Sequence, residues 1–214
     1  MIAENVSFGE HSQSEFGLRP YEIEIESPEP KTYLVSIPAR NGDLDFTEFL
    51  TDGEVTYENR EIKISMYCFA DDNEYQEMER KCKNALHGRK LKIKFDSDPD
   101  YYYLGRITVD WNSEPNIDIA EITCDCEPFK YKNKRTVSEF DVAGTRSITL
   151  KNGRLPVCPV VTTDSEITVK FGTETIVFSA GERQSPYLVL GYGDNSLQLS
   201  GNGHIKFEYQ EGDL

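Results

Sequence analysis

The stretch ALHGRKLKIKFDSDPDYYYLGRITVDW, residues 85–111, changes its apolar period part-way along, and that change decides the fold. Running into its start, Tyr75, Met78, Cys82, Ala85 and Leu86 recur at spacings of three and four, which stacks them on one helical face. A helix is predicted over about 72–87: Asp71 or Asp72 can cap its first amides, Lys81 and Lys83 sit late, and Gly88 supplies a left-handed stop. His87 at its end fits the negative pole of the helix dipole. Downstream, Leu91, Ile93 and Phe95 alternate with lysines, and Ile107, Val109 and Trp111 alternate again, so strands follow the helix.

The segment between those strands looks most like a site. Asp96, Asp98 and Asp100 have the spacing of the first three ligands of an EF-hand loop. The match stops there, because Tyr101 and Ile107 stand where that loop needs a glycine and a bidentate glutamate, and no helix pattern follows. With Asp98 and Pro99 at its first corners the segment fits a type I turn. Tyr101, Tyr102 and Tyr103 could offer a ligand face, but neighbours on a strand point to opposite sides, so packing is the better reading.

Alternation extends in both directions from this stretch. Tyr21, Ile23 and Ile25, then Tyr33, Val35 and Ile37, then Ile62, Ile64, Met66 and Cys68 read as half-buried strands. Ile117, Ile119, Ile122 and Cys124 slip by one position, which suggests a bulge. After Lys130–Arg135, a short cationic run read as a solvated linker, RSITLKN, CPVVTT, EITVKFG, ETIVFSAG, YLVLGYG, SLQLSG and HIKFEYQ form seven short runs. Gly191, Gly193, Gly201 and Gly203 are read as hairpin turns between them, giving a small antiparallel sandwich. The expected fold is mainly β with one helix, in two domains, 1–134 and 135–214.

Composition excludes several function classes. A net charge of −15 argues against a surface that binds phosphates. No apolar window is long enough to span a membrane, and the first residues lack a signal-peptide pattern, so a cytoplasmic site of synthesis is expected. The five cysteines are expected to be free thiols; Cys124 and Cys126 share a strand face but have no second ligand pair for zinc. His11, His87 and His204 are scattered among a polar amino-terminal arm, a helix end and a strand, and no carboxylate pair stands out among 38, so no catalytic residue, metal or cofactor is expected.

Several stretches in order, FGEHSQSEFGLRP, IPARNGDLDFTEFL, VTYENREIKISMYC, the run from Ala85 to Ile107, and ITCDCEPFKYK, resemble the distal tail proteins of siphophages that infect Gram-positive bacteria. The resemblance covers about residues 1–132; the remainder matches by position, length and strand pattern. It implies a non-enzymatic virion protein of the tail tip, made in the bacterial cytoplasm. Its amino-terminal β-rich domain, with one helix, would close a hexameric ring, and its carboxy-terminal galectin-like sandwich would lie outside. Implied partners are further copies of itself, the tail tube protein, the tail-associated hub or lysin protein and receptor-binding or other baseplate proteins, with genomic DNA passing through unbound. Ring or tube contacts are expected at Arg40, Asn41, Gly42, Asp43, Asp45 and Arg60. The alternative function, recognition of host wall sugars by the second domain, would use Tyr187, Tyr192 or Tyr209.

Overall fold

Period-two alternation becomes antiparallel sheet over most of the computed structural model, which describes residues 4–49, 51, 53–68, 72–114 and 117–214. The chain divides into a unit ending at Pro128 and a unit of Phe129–Leu214, a division slightly ahead of the expected 134/135.

The first unit comprises β1 (Val6–Phe8), β2 (His11–Ser12), a 3-10 turn (Gln13–Phe16), β3 (Leu18–Ile25), β4 (Leu34–Val35), β5 (Leu44–Asp45), β6 (Arg60–Cys68), α1 (Asp72–Leu86), β7 (Lys90–Phe95), β8 (Tyr101–Glu114) and β9 (Ile117–Cys126). Its main sheet has the order β2-β1-β7-β8-β9-β6-β3. The helix lays Cys82 and Leu86 on the core with Met78 and Ala85 beside them, and Tyr75 meets the Trp111 ring edge-on at 5.7 Å. Gly88 takes the left-handed φ of +75° as expected. The predicted caps differ in standing: Asp71 and the Asp72 side chain lie outside the described residues.

Three readings in this unit are corrected. The opening residues, expected to be a polar arm, form an edge of the sheet and bury Val6, Phe8 and Phe16. Their turn is fixed by a capping box in which Ser12 and Glu15 satisfy each other's backbone amides. No bulge interrupts β9: the small Ala120, passed over in the apolar pattern, is fully buried and continues the series to Ile122, Cys124 and Cys126. The register shift lies in β3 instead, between Pro20 and Glu22. His87 does more than face a dipole, since its Nδ1 accepts the Val109 amide at 3.1 Å and extends the β8 ladder beyond the end of β7.

The acidic turn closes as a turn, with the Tyr101 amide donating to the Asp98 carbonyl at 3.1 Å. Tyr103 packs in the core against Phe95, and the Tyr102 ring is covered by the Lys92 ammonium at 4.2 Å, so neither is a free platform. Gly105, just after, is needed for close approach: a Cβ there would stand 2.9 Å from the Asp125 carbonyl oxygen and 3.0 Å from Cys126 Cα. Gly105→Ala is therefore expected to cost about 2 kcal/mol, the usual scale for forcing volume into a packed interior. Urea unfolding with an unchanged m-value checks this, and a wild-type midpoint would refute it. The cysteines are free, and burial pushes the Cys82 and Cys126 thiols up to about 12 and Cys124 higher still, which keeps them protonated and unreactive.

The second unit contains β10 (Lys130–Lys132), β11 (Thr136–Asn152), β12 (Val160–Thr163), β13 (Ile167–Phe171), β14 (Glu174–Phe178), β15 (Gly181–Arg183), β16 (Gly193–Tyr209) and β17 (Gly212–Asp213). The cationic run is not a solvated linker: β10 pairs with β17, Lys132 meets Glu211 at 2.7 Å and Arg135 meets Glu208 at 3.2 Å. SLQLSG and HIKFEYQ are not two strands joined by a hairpin. They are one strand, β16, paired with β11 over its full 17 residues. On its other side β16 pairs first with β13 (Leu197 to Gly201) and then with β12 (Ile205 to Glu208). Gly201 and Gly203, at φ +146° and +153°, stand where the partner changes, so the ribbon bends there and its two halves enclose one core. Ile148, Leu150, Leu197 and Leu199 fill it from one half, and Val142, Ile205, Phe207 and Tyr209 from the other. YLVLGYG is not a strand either; a single bridge, Val157 to Leu190, ties it down, and Leu188 and Leu190 plug the core.

Just past the bend His204 holds a hydrogen bond to its cross-strand partner Asp141 at 3.0 Å, which raises its pKa above the ordinary value, with Glu139 adding at 3.9 Å. A raised folded-state pKa contributes stability that is fully present below the unfolded value, about 6.5, and is lost as pH rises through the raised one. The His204 ring signals in NMR are therefore expected to titrate above those of a model peptide, and Asp141→Asn to bring them down. An unshifted midpoint would refute the pairing.

Candidate assembly interface

Between the end of β3 and the start of β6 the chain leaves the sheet as an arm, residues 26–59. A short ladder roots it: Glu26 N–H donates to Glu61 O, Glu58 N–H to Glu29 O and Lys31 N–H to Thr56 O, with a bridge between Pro30 and Tyr57. Beyond the ladder β4 and β5 form a two-stranded hairpin, Leu34 opposite Asp45 and Val35 opposite Leu44. Its tip turns at Pro38 and Ala39, where the Arg40 amide returns to Ile37 O and Ala39 takes φ +63°. That conformation costs a non-glycine residue about 1–2 kcal/mol.

Alternation in Tyr33, Val35 and Ile37 predicts a half-buried strand, yet Tyr33 is 63% exposed, and Leu34 and Ile37 are exposed as well. Phe49, at 76%, stands edge-on to Phe46 at 5.9 Å, and Phe46 in turn lies 6.3 Å from Tyr33. The hairpin is thus built with the strand-type apolar residues that the pattern implies, but nothing in its own unit covers them among the described residues. Exposed apolar rings gathered in this way are a candidate interaction surface.

The residues expected to carry the contacts divide. Arg40, Asn41, Gly42 and Asp43 line the exposed tip, with Gly42 at φ +73°. Asp45 is exposed but committed to the hairpin: the Thr47 hydroxyl and the Thr47 amide, at 2.9 Å, hold its carboxyl below the usual carboxylate range. Arg60 is a correction. It is 5% exposed, its Nε donates to Pro128 O at 2.9 Å, and its guanidinium lies over the Tyr103 ring at 5.3 Å. Burial works against its charge, offset in part by Tyr103 and Cys126, so it is a core residue at the root of the arm and not a surface contact. Beside these polar residues stand the exposed apolar Tyr33, Leu34, Ile37 and Phe49, whose signal in the sequence is an apolar alternation next to a polar loop.

Of the aromatics considered for sugar, Tyr187 and Tyr192 are exposed, whereas Tyr209 is 3% exposed and donates its hydroxyl to Lys151 O at 2.5 Å. Tyr209 is therefore corrected to a core residue, and no three-ring face exists. No helix among the described residues is long and apolar enough to cross a membrane.

Over 97% of its length the chain superposes on 98% of the crystal structure of the SPP1 Dit (gp 19.1) protein, with a TM-score of 0.73 and 15% sequence identity. The fold is Dit-like. That Dit protein is described as a paradigm of the hub adsorption apparatus in phages infecting Gram-positive bacteria. No protein-family model matches the sequence, and no curated protein matches it. The match runs through both units.

Proposed function

We propose that this chain is a structural virion protein of the phage tail tip, a non-enzymatic subunit that closes a hexameric ring. The ring joins the tail tube to the tail-associated hub protein and receptor-binding apparatus. The observation that carries the reading is the exposed apolar arm on a Dit-like fold. A ring needs a heterologous contact, one surface seated on a different surface of the next copy, and a projecting hairpin is suited to reach across such a contact. The tip residues Arg40, Asn41, Gly42 and Asp43 form the polar rim of that contact, and Tyr33, Leu34, Ile37 and Phe49 its apolar centre.

The excess of negative charge fits the same reading. On the part of the outer sheet face formed by β3, β6, β9 and β8, Glu22, Glu24, Glu61, Asp110, Glu121 and Asp125 outnumber Arg19, Lys63 and Arg106, while Lys90, Lys92 and Lys94 stand beyond it on β7. Turned to the lumen, this face repels phosphates and lets genomic DNA pass without sticking. Mass measurement of the purified chain over a range of concentrations, with negative-stain images, tests the proposal. Rings of six subunits support it, and a monomer that binds cell-wall polysaccharide overturns it. A ring whose lumen is lined by Lys and Arg would remove the charge argument alone.

A further inference from the structure

Strand β11 is paired on one side only. All 17 of its residues pair with β16, and among the described residues no strand lies along its other side. A long open edge is a template for another strand, because its outward N–H and C=O groups have no ladder partner. Here the Asp141 carbonyl is held by a side chain, Arg146 Nη1 at 3.0 Å, while the same guanidinium rests on the Phe140 ring at 5.2 Å.

We propose that this edge pairs with β11 of a second copy of the chain, antiparallel about a two-fold axis at Thr145. The strand is complementary to itself in that register. Glu139 then faces the second copy's Lys151 and Asp141 its Thr149 on the outer surface, while Phe140 faces its Leu150 and Val142 its Ile148 on the core surface. Centring one residue earlier, on Gly144, sets Val142 against Arg146 and Ser138 against Leu150; one later, on Arg146, sets Phe140 against Asn152. One register satisfies both the charges and the apolar rows. Lys151 forms no ion pair within its own chain among the described residues, and Glu139 keeps only the long 3.9 Å contact with His204, so the two can take up a cross-strand pair. Pairing exchanges the Arg146 bond at the Asp141 carbonyl for a backbone amide of the second copy. It also carries each half of the sandwich on into its counterpart.

This contact is isologous, so it is distinct from ring closure and links either two free chains or two rings. The test uses the full chain. Thr145→Cys lies on the axis and is expected to give a covalent dimer under mild oxidation, whereas Thr175→Cys on β14 and the wild type are not. Glu139→Lys alone and Lys151→Glu alone should each weaken dimerisation about tenfold, because a two-fold contact repeats the altered pair. The double swap should restore it. Absence of the Thr145→Cys dimer, or single reversals without effect, overturns the proposal. Rings without these dimers leave the ring reading intact, and dimers without rings leave this contact intact.

Discussion

Gly201→Ala is expected to lower the stability of the second unit by about 3 kcal/mol or more, with a fall of roughly 10–20 °C in its melting midpoint. Two causes add. At φ +146° the backbone lies in a region that is essentially reserved for glycine, and a Cβ would stand 2.9 Å from the Glu166 carbonyl oxygen and 3.3 Å from Ile167 Cα. Both obstacles are backbone of the neighbouring strand, so no side-chain rotation relieves them. Gly172→Ala supplies the comparison: φ there is +58° and nothing stands within 4 Å, so strain alone acts, at about 1–2 kcal/mol. Thermal melts of the two variants side by side separate strain from close approach. Equal losses would mean that β16 does not bend against β13 in the way described.

That glycine shows why part of the fold was legible in the sequence and part was not. The period of Tyr75, Met78, Cys82, Ala85 and Leu86 gave α1 within a residue of its end at Leu86, because the helix face is decided locally. The strands read the same way wherever one face meets the core. Gly201 and Gly203 misled because a glycine permits both a turn and a bent strand, and the choice was made by residues distant in sequence: Glu166 and Ile167 stand where a Gly201 side chain would be, and Asp164 and Ser165 where a Gly203 side chain would be. Ala120 misled for a related reason: a small residue opposite Trp111 and Met66 continues a core that larger neighbours define. Arg60 reads as surface by its charge, and its burial over Tyr103 depends on the carbonyl of Pro128 at the far end of the unit. The arm is the opposite case. Its alternation was legible, but the half-buried strand it predicts is not what forms: Tyr33, Leu34 and Ile37 are exposed, and nothing in their own unit covers them among the described residues.

Replacing Tyr33 and Phe49 together by serine is accordingly expected to leave the chain folded and to abolish ring formation. Both rings are largely in water in the isolated subunit, so little buried area is lost and the melting temperature should move by no more than about 2 °C, in keeping with surface substitutions. At an interface the same two rings would be desolvated, and aromatic anchors of that kind each contribute about 2 kcal/mol or more to association. A closed ring repeats the loss at every contact, so a deficit that would only weaken a dimer removes the ring at micromolar concentration. Val177→Ser is the matched control: Val177 is an exposed apolar residue on β14, away from the arm, and its removal should leave rings unchanged. Mass measurement with negative-stain images reads all three proteins, and circular dichroism melts confirm folding. Rings that persist in the Tyr33→Ser, Phe49→Ser protein would move the contact elsewhere on the unit. A melting temperature that falls with them would mean the arm is packed onto its own subunit and is not held out for a neighbour.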